Sequence, residues 1–427
     1  MTDSFLNKII NLGHKDLPAN VLSQAVGVLL DYFGVTIGGR QFLKNKNPDM
    51  MSYMPTRAFL NGFAAHVLEL DDGHRFGMLH LEAPLFSALW ALAQQEDVDF
   101  EHFVKGILVG YQTTVQLARR IQPEHKKHGY HATGTCGTIG VACAVATALD
   151  FTDKQFESAI GAAVTRAAGL LSALDSPSEL KPYNVAGAIE SGIMSAYMAR
   201  CGFESQYDPI DGKRGFFKTY SNGNNVKSLA SFNESSEILN IYFKPYAACR
   251  HCHAPVECAL TLKETNSFEA KDIQEVIVET YRLAIDGHNH SDIPTPSSAK
   301  MSIPYCVAVS LTKAECGMEA FSEQVVADSN ILALTRKVRV EEDPVMTSLS
   351  PGKRGARVVV KTISGQEYIS EVDNPLGEPE HPMSDAELVK KYYDMMGFAG
   401  VDNQKAKTIH DMIWKLETEY NELLKIF

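Results

Sequence analysis

Between Asn61 and Pro84 the chain reads NGFAAHVLELDDGHRFGMLHLEAP. Phe59, Phe63, Ala64, Val67 and Leu68 recur at three- and four-residue spacing, the period of an amphipathic helix. Into that face the chain brings His66, Glu69, Asp71 and Asp72. Gly73 and Gly77 then break the helix, and His74, Arg75 and His80 follow. Charges and imidazoles are costly to bury unless they are paired or used. An apolar helix ending in acids and histidines therefore reads as the lining of a pocket rather than a solvated helix end.

Other clusters carry weaker signals. Cys249-Arg250-His251-Cys252-His253 fits the C-x-x-C-H haem string, and with Cys258 it looks like half a zinc site. The N-terminus, MTDSFLNKII, has no basic segment followed by an apolar one, so export for haem attachment is not expected. Cys136, Cys143, Cys201, Cys306 and Cys316 are scattered singly and supply no second ligand pair. The stretch reads better as an anion-facing loop in which Lys244, Arg250 and His253 are charge-assisted donors. Lys181, just before Pro182, is equally a carboxylate clamp or an ordinary lysine opening a helix. His288 and His290 read as a solvated loop, and His125 and His128, flanking Lys126 and Lys127, as a charged surface turn. There is no G-x-G-x-x-G after a strand, P-loop, G-x-S-x-G elbow or H-E-x-x-H, so nicotinamide, phosphoryl-transfer, serine-hydrolase and zincin chemistry lack support.

The composition narrows the class. The 427 residues exceed one ordinary core. Hydrophobic residues make up 45% and charged residues 22%, the balance of a globular protein. A net charge of −12 without long Lys/Arg runs argues against nucleic acid and requires that any anionic substrate meet a local basic site. No apolar run is expected to reach membrane-spanning length, and the cysteines read as reduced cytoplasmic thiols.

The elements that must position these residues are mostly helices. Helical periodicity covers 17–36, about 56–70, 85–95, 100–120, 129–151, 153–173 and 183–203, with a break at Asp175-Ser176-Pro177. Gly134 and Gly137 open the 129–151 helix, whose N-terminal N–H groups can hold an anion. Strand alternation appears at 273–281, 338–343 and 356–372, the last a hairpin turning at Ser364-Gly365, with helix at 302–311. Ser384 caps a closing helix with Glu387 at the capping-box position. The expected fold is mainly α: a helical domain at 1–243, a smaller α+β lid at 244–380, and C-terminal helices at 381–427 that pack back on the first.

Taken together the blocks LDYFGVTIGG, NGFAAHVLELDDGH, GYHATGTCGTIGVACA, LKPYNVAGAIESG, FKPYAACRHCHAP, AKMSIPYCVAV and NPLGEPEHPMSDAEL resemble the MmgE/PrpD family nearly end to end. That family includes 2-methylcitrate dehydratase, cis-aconitate decarboxylase and iminodisuccinate epimerase. The resemblance implies a homodimer, catalysis without metal or organic cofactor, and an active site between helical domain and lid. Its motifs fall on Glu69, Asp71 and Asp72, on His80, His131 and Lys181, on Lys244, Tyr246, Arg250 and His253, and on Tyr305. The departures are Glu69 and Gly73, where decarboxylase-like members carry Asp and Thr, and Cys249, where they carry a catalytic histidine. These argue against cis-aconitate decarboxylation.

The family's reactions pass through a carbanion or enediolate beside a carboxylate, which needs cations to hold the carboxylates, a base for the C–H proton and an acid for the departing group. On this reading Lys181, Lys244 and Arg250 hold carboxylates, Glu69, Tyr246 and His253 complete the binding site, and His131, Tyr305 and His80 move protons. Phe76, Met78 and Leu79 are candidate wall residues. Dehydration of a small di- or tricarboxylate is the leading expectation, epimerisation of a dicarboxylate such as iminodisuccinate the alternative, and a non-catalytic scaffold the third.

Overall fold

Helices form where the apolar spacing predicts them. The structure is a computed structural model that describes residues 5–13, 18–43, 53–174, 180–205, 208–221 and 236–426, so the break expected at Asp175-Ser176-Pro177 lies outside the described residues. The helical part comprises α1 (Phe5–Gly13), α2 (Ala19–Gly39), α3 (Met54–Val67), α4 (Glu82–Ala93), α5 (Phe100–Ile121), α6 (Ala132–Ala148), α7 (Asp153–Arg166) and α8 (Leu180–Arg200). The helix α6 is buried nearly all round, and α5 and α8 pack against it. Its Ala- and Gly-rich sequence permits this close approach; at Gly140, for example, a Cβ would fall 1.8 Å from Thr114 Oγ1.

Then the pattern changes from period 3.6 to period 2, as the sequence indicates. Helix α9 (His253–Thr265) precedes β1 (Ile273–Thr280), α10 (Ile303–Lys313) lies before β2 (Val338–Glu342), and β3 (Ala356–Thr362) and β4 (Glu367–Val372) form the predicted hairpin. The strand order is β2-β1-β3-β4, with β1 parallel to β2 and antiparallel to β3. Buried Val276, Val278, Val358 and Val360 line one face of the sheet, against which α9 packs. The result is a mainly helical fold with a small mixed sheet. Helices α11 (Asp385–Phe398), α12 (Asn403–Ile413) and α13 (Leu416–Leu423) close the chain; α11 starts from the expected Ser384/Glu387 capping box and packs on α2.

Two expectations need correction. The segment from Ala19 to Leu43 is long and apolar enough to cross a membrane, contrary to the sequence reading. Here it is a core helix, 67% of its most apolar 18-residue window being buried, and its Asp31 carboxylate receives Lys391 of α11 at 2.6 Å. The helix expected through 173 stops at Arg166. Beyond it Gly169 O accepts the His131 N–H at 3.0 Å, and the chain bridges Tyr130 to Leu170. Gly134 permits this, since a Cβ there would sit 2.4 Å from Ala168 O. The early end of α7 thus anchors the loop that presents His131.

Candidate active site

The turn after α3 sets the geometry. Glu69 follows the helix with a left-handed φ of +58°, and Met78 has φ +52°; such strain in residues other than glycine concentrates at sites the surroundings over-determine. Between them Gly73 pairs with Tyr242 as an isolated bridge, tying the turn to the strap that leads into the sheet-bearing part. A Cβ at Gly73 would lie 2.3 Å from Tyr242 Oη, so the tyrosine fills the space a threonine would need.

This turn lines a cleft of about 700 Å³, counting its mouth. The helical part contributes Glu69, His80, Lys126, His131 and Lys181, with Met78 and Leu79 as apolar wall. The later part contributes Tyr242, Lys244, Cys249, His251, His288 and Arg354. Five lysine and arginine side chains face it, Arg250 being the fifth, against the single carboxylate of Glu69.

That carboxylate is spent. Lys181 Nζ donates to Oε1, and Lys244 Nζ to Oε2 at 3.1 Å. Burial alone would raise the Glu69 carboxyl; Lys181, Lys244, His66 and His80 outweigh it and hold it well below the usual carboxylate range. Glu69 therefore positions two ammonium groups. Burial would likewise strip Lys244 of its proton, but Glu69 and Asp71 hold it on.

Three imidazoles surround this ion cluster. His66, fully buried, meets Asp71 Oδ2 through Nδ1 at 2.6 Å, and its ring lies 4.6 Å from His80 and 6.5 Å from His131. His80 Nδ1 donates to the main-chain carbonyl of Asp72 at 2.6 Å and lies 3.4 Å from the Asp71 carboxylate. That bond fixes its tautomer and leaves Nε2 as the ring's acceptor. His131 caps α6, and its Nδ1 is buried without a hydrogen-bond partner among the described residues. Burial, and then Lys181, lowers His131 to about 3, so it is a neutral imidazole at physiological pH.

The two aspartates divide their tasks. Despite burial, Asp71 is held below the carboxylate range by His66, His80 and Lys244. Asp72 does not face the cleft. Its Oδ1 accepts the N–H groups of Leu81 and Glu82, each at 2.9 Å, and its Oδ2 the Tyr111 hydroxyl at 2.7 Å. Burial pushes it up to about 7 against those bonds. It caps α4 and carries His80 on its carbonyl.

Several expected site residues stand elsewhere. The Arg250 guanidinium lines the cleft, but its donors go to Glu378 at 3.1 and 3.0 Å, to the carbonyls of Leu376 and Pro375 at 2.9 and 3.0 Å, and to His253 Nδ1 at 3.0 Å. It is no carboxylate clamp; its bonds hold the 375–378 turn. His253, whose Nε2 faces Ala248 O at 3.1 Å, orients that guanidinium, and Tyr246 packs on His253 at 5.2 Å. Tyr305 is fully buried and donates to Ala320 O at 2.7 Å, away from the residues that line the cleft. Phe76 instead takes Arg75 and Arg119 over its ring at 5.0 and 5.3 Å.

The sequence reading missed others. Lys126 lines the cleft rather than a surface turn, and His125 beside it is buried with Nε2 2.8 Å from Thr135 Oγ1. His288, read as solvated, is buried and faces the cleft. Arg354 carried no motif at all. The cysteines of the C-x-x-C-H string diverge: Cys249 faces the cleft, Cys252 Sγ points to Lys300 O at 4.0 Å, and Cys258 Sγ to Ala356 O at 3.4 Å. His66, Asp71 and His80 do bring three potential metal ligands within 4.8 Å. Lys244 Nζ, 3.8 Å from Asp71 Oδ1, already supplies the positive charge there.

Comparison with known proteins places the whole chain in one family. A family model for the MmgE/PrpD N-terminal domain matches residues 52–229, and one for the MmgE/PrpD C-terminal domain matches residues 246–418. The cis-aconitate decarboxylase of Aspergillus terreus is 25% identical over 97% of this chain and 93% of its own length. The cis-aconitate decarboxylase-like protein oryM of Aspergillus oryzae is 24% identical over 100% and 97%. Human cis-aconitate decarboxylase is 21% identical over 92% and 87%.

Proposed function

The chain belongs to the MmgE/PrpD family, and on that premise we propose that it is a cofactor-free lyase that removes water from a small hydroxylated di- or tricarboxylate. The observation that carries this reading is the cleft's imbalance of charge: Lys126, Lys181, Lys244 and Arg354 face it with one carboxylate, beside two imidazoles whose rings are neutral. Such a site favours a ligand with several negative charges, and its cations absorb the charge that develops when a carbon beside a carboxylate loses a proton. The similarity to decarboxylases of a tricarboxylate points to the same substrate class and to lyase chemistry.

In the proposed elimination the substrate's carboxylates lie against Lys181, Lys126 and Arg354, and the N-terminus of α6 at Ala132 adds its dipole. The C–H electron pair moves into the adjoining carboxyl group as the proton leaves. The enediolate then expels the β-hydroxyl, which takes a proton and departs as water. His131 and His80 are the proton carriers of the helical part. A bound polyanion raises the proton affinity of both rings, so the empty cleft keeps them neutral and the occupied one lets them charge.

Dehydration is preferred to decarboxylation because Glu69, Gly73 and Cys249 depart from the decarboxylase-like pattern together. The second reading is epimerisation, in which the same carbanion is reprotonated on its other face; it would use the same carboxylate-binding cations. Incubation with a panel of hydroxylated di- and tricarboxylates in heavy water separates the two. Dehydration gives an ultraviolet-absorbing alkene, and epimerisation gives deuterium incorporation without one. Absence of both products across the panel would refute the proposal.

A further inference from the structure

The wall contributed by the later part of the chain holds a second titratable cluster that the elimination above does not use. Cys249 is part-buried with its thiol in the cleft, and its main-chain N–H is fixed to Lys300 O at 2.9 Å. His288, 5% exposed, lines the same wall. Its Nδ1 lies 3.0 Å from Asp286 O, so that nitrogen carries the proton and donates it. The remaining nitrogen, Nε2, is left as an acceptor on the cleft wall that His288 shares with Cys249. His251 sits beside the pair, its ring 5.0 Å from His288, and is itself held by Tyr281 Oη at 2.7 Å. A carbonyl that orients an imidazole that in turn faces a thiol is the arrangement of an activated cysteine.

We propose that Cys249 and His288 form a proton-transfer pair on this wall and that the Cys249 sulfur takes the C–H proton from the substrate. The inference rests on the function proposed above and adds to it the identity of the second proton carrier. In the step, the C–H bond breaks, an S–H bond forms, and the C–H electron pair enters the adjoining carboxyl group. The hydroxyl leaves with a proton from the imidazole side of the cleft, and solvent restores both groups, so no other reactant is consumed. Opposite-charge and like-charge neighbours both bear on the sulfur. Burial alone would raise its pKa; His288, and then Lys181, lower it to about 6, while Glu69 opposes. Lys126, Lys244 and Tyr281 also act on it electrostatically, as does Cys252 beneath it.

The test uses the full chain and iodoacetamide as probe, with alkylation of each cysteine followed by mass spectrometry as a function of pH. Cys201, which is exposed, is the internal standard. The pair requires that Cys249 react with an inflection at least one pH unit below that of Cys201, that His288→Asn move the inflection toward the ordinary thiol value of about 8.5, and that thiolate absorbance near 240 nm follow the same curve. It also requires that Cys249→Ser, folded by circular dichroism, lose at least 100-fold in the rate of alkene formation while KM stays within about threefold. An ordinary inflection for Cys249, or a wild-type rate of alkene formation in Cys249→Ser, overturns the pair. A low inflection with no alkene formed by the wild-type protein from any acid of the panel overturns the transfer step through failure of the proposed function, and the alkylation curve tells the two failures apart.

Discussion

At the scale of single residues the site is defined by what each charge is already doing. Among the described residues Lys181 has one charged partner, Glu69, and its side chain, 13% exposed, lines the cleft, so it retains donors for a substrate. The unpartnered Nδ1 of His131 is likewise available. Replacing either residue by alanine is expected to lower turnover by about 100-fold or more with the fold retained, the usual scale for a lost acid/base or charge-stabilising group; steady-state kinetics with circular dichroism checks this. Glu69→Gln should act differently. Lys244, wholly buried, would keep only Asp71 at 3.8 Å as a charged partner. Leaving a buried ammonium half-compensated costs on the order of 3 kcal/mol, so urea unfolding should show a clear loss of stability along with the loss of activity. The contrast with Arg250 shows where residue types mislead. Its charge suggested a substrate clamp, but only the fold reveals that Glu378, His253 and two carbonyls consume its donors.

At the scale of elements, the turn 69–80 and the segment around Glu378 tie the helical part to the sheet-bearing part. Arg75 reaches Glu378 at 3.4 Å and also pairs with Glu380, Arg250 binds Glu378 from the other side, and Arg354 donates to Arg75 O at 2.8 Å. Glu378 is 1% exposed and Glu380 47% exposed at their side chains. Glu378→Gln should therefore destabilise by about 3 kcal/mol, because the buried Arg250 guanidinium loses its carboxylate while Arg75 keeps Glu380. Glu380→Gln should cost under about 1 kcal/mol, the worth of an exposed pair; equal effects in urea melts would refute this account of the strap. These elements were unequally legible in the sequence. Helix α3, its polar end, the β3–β4 hairpin and the Ser384 cap follow from period, breaker and cap residues that act within a few positions. The loops bearing Lys126, His288 and Arg354 carry no local signal, because what makes them part of the cleft is tertiary packing across 160 to 230 positions of chain. The same holds for the end of α7: Arg166 closes it not through a breaker in its own sequence but because Gly169 must reach His131.

At the scale of the whole molecule, buried titratable groups fix how stability depends on pH. Burial lowers His74, His80, His125, His131, His251 and His253 below their ordinary value. Each binds a proton more readily in the unfolded chain, so each contributes stability that is present above about pH 6.5 and is lost as the pH falls below it. Burial raises Asp31, Asp72 and Glu82 instead. These hold protons in the folded state that the unfolded chain releases above about pH 4, so their contribution is greatest in acid and fades as the pH rises, for Asp72 through about 7. Between pH 4 and 6.5 the six histidines oppose the three acids, and the larger set decides the sign. Below that window Glu69, Asp71 and Glu237, all lowered by their cationic partners, add to the loss. Thermal unfolding should accordingly show Tm falling steadily from pH 7.5 to pH 4.5. His131→Asn, which removes one neutral buried ring, should make that slope shallower. A Tm that rises on acidification would mean that the three acids dominate, whereas an unchanged slope in His131→Asn would overturn the neutral state assigned to that ring, on which its role as a proton carrier depends.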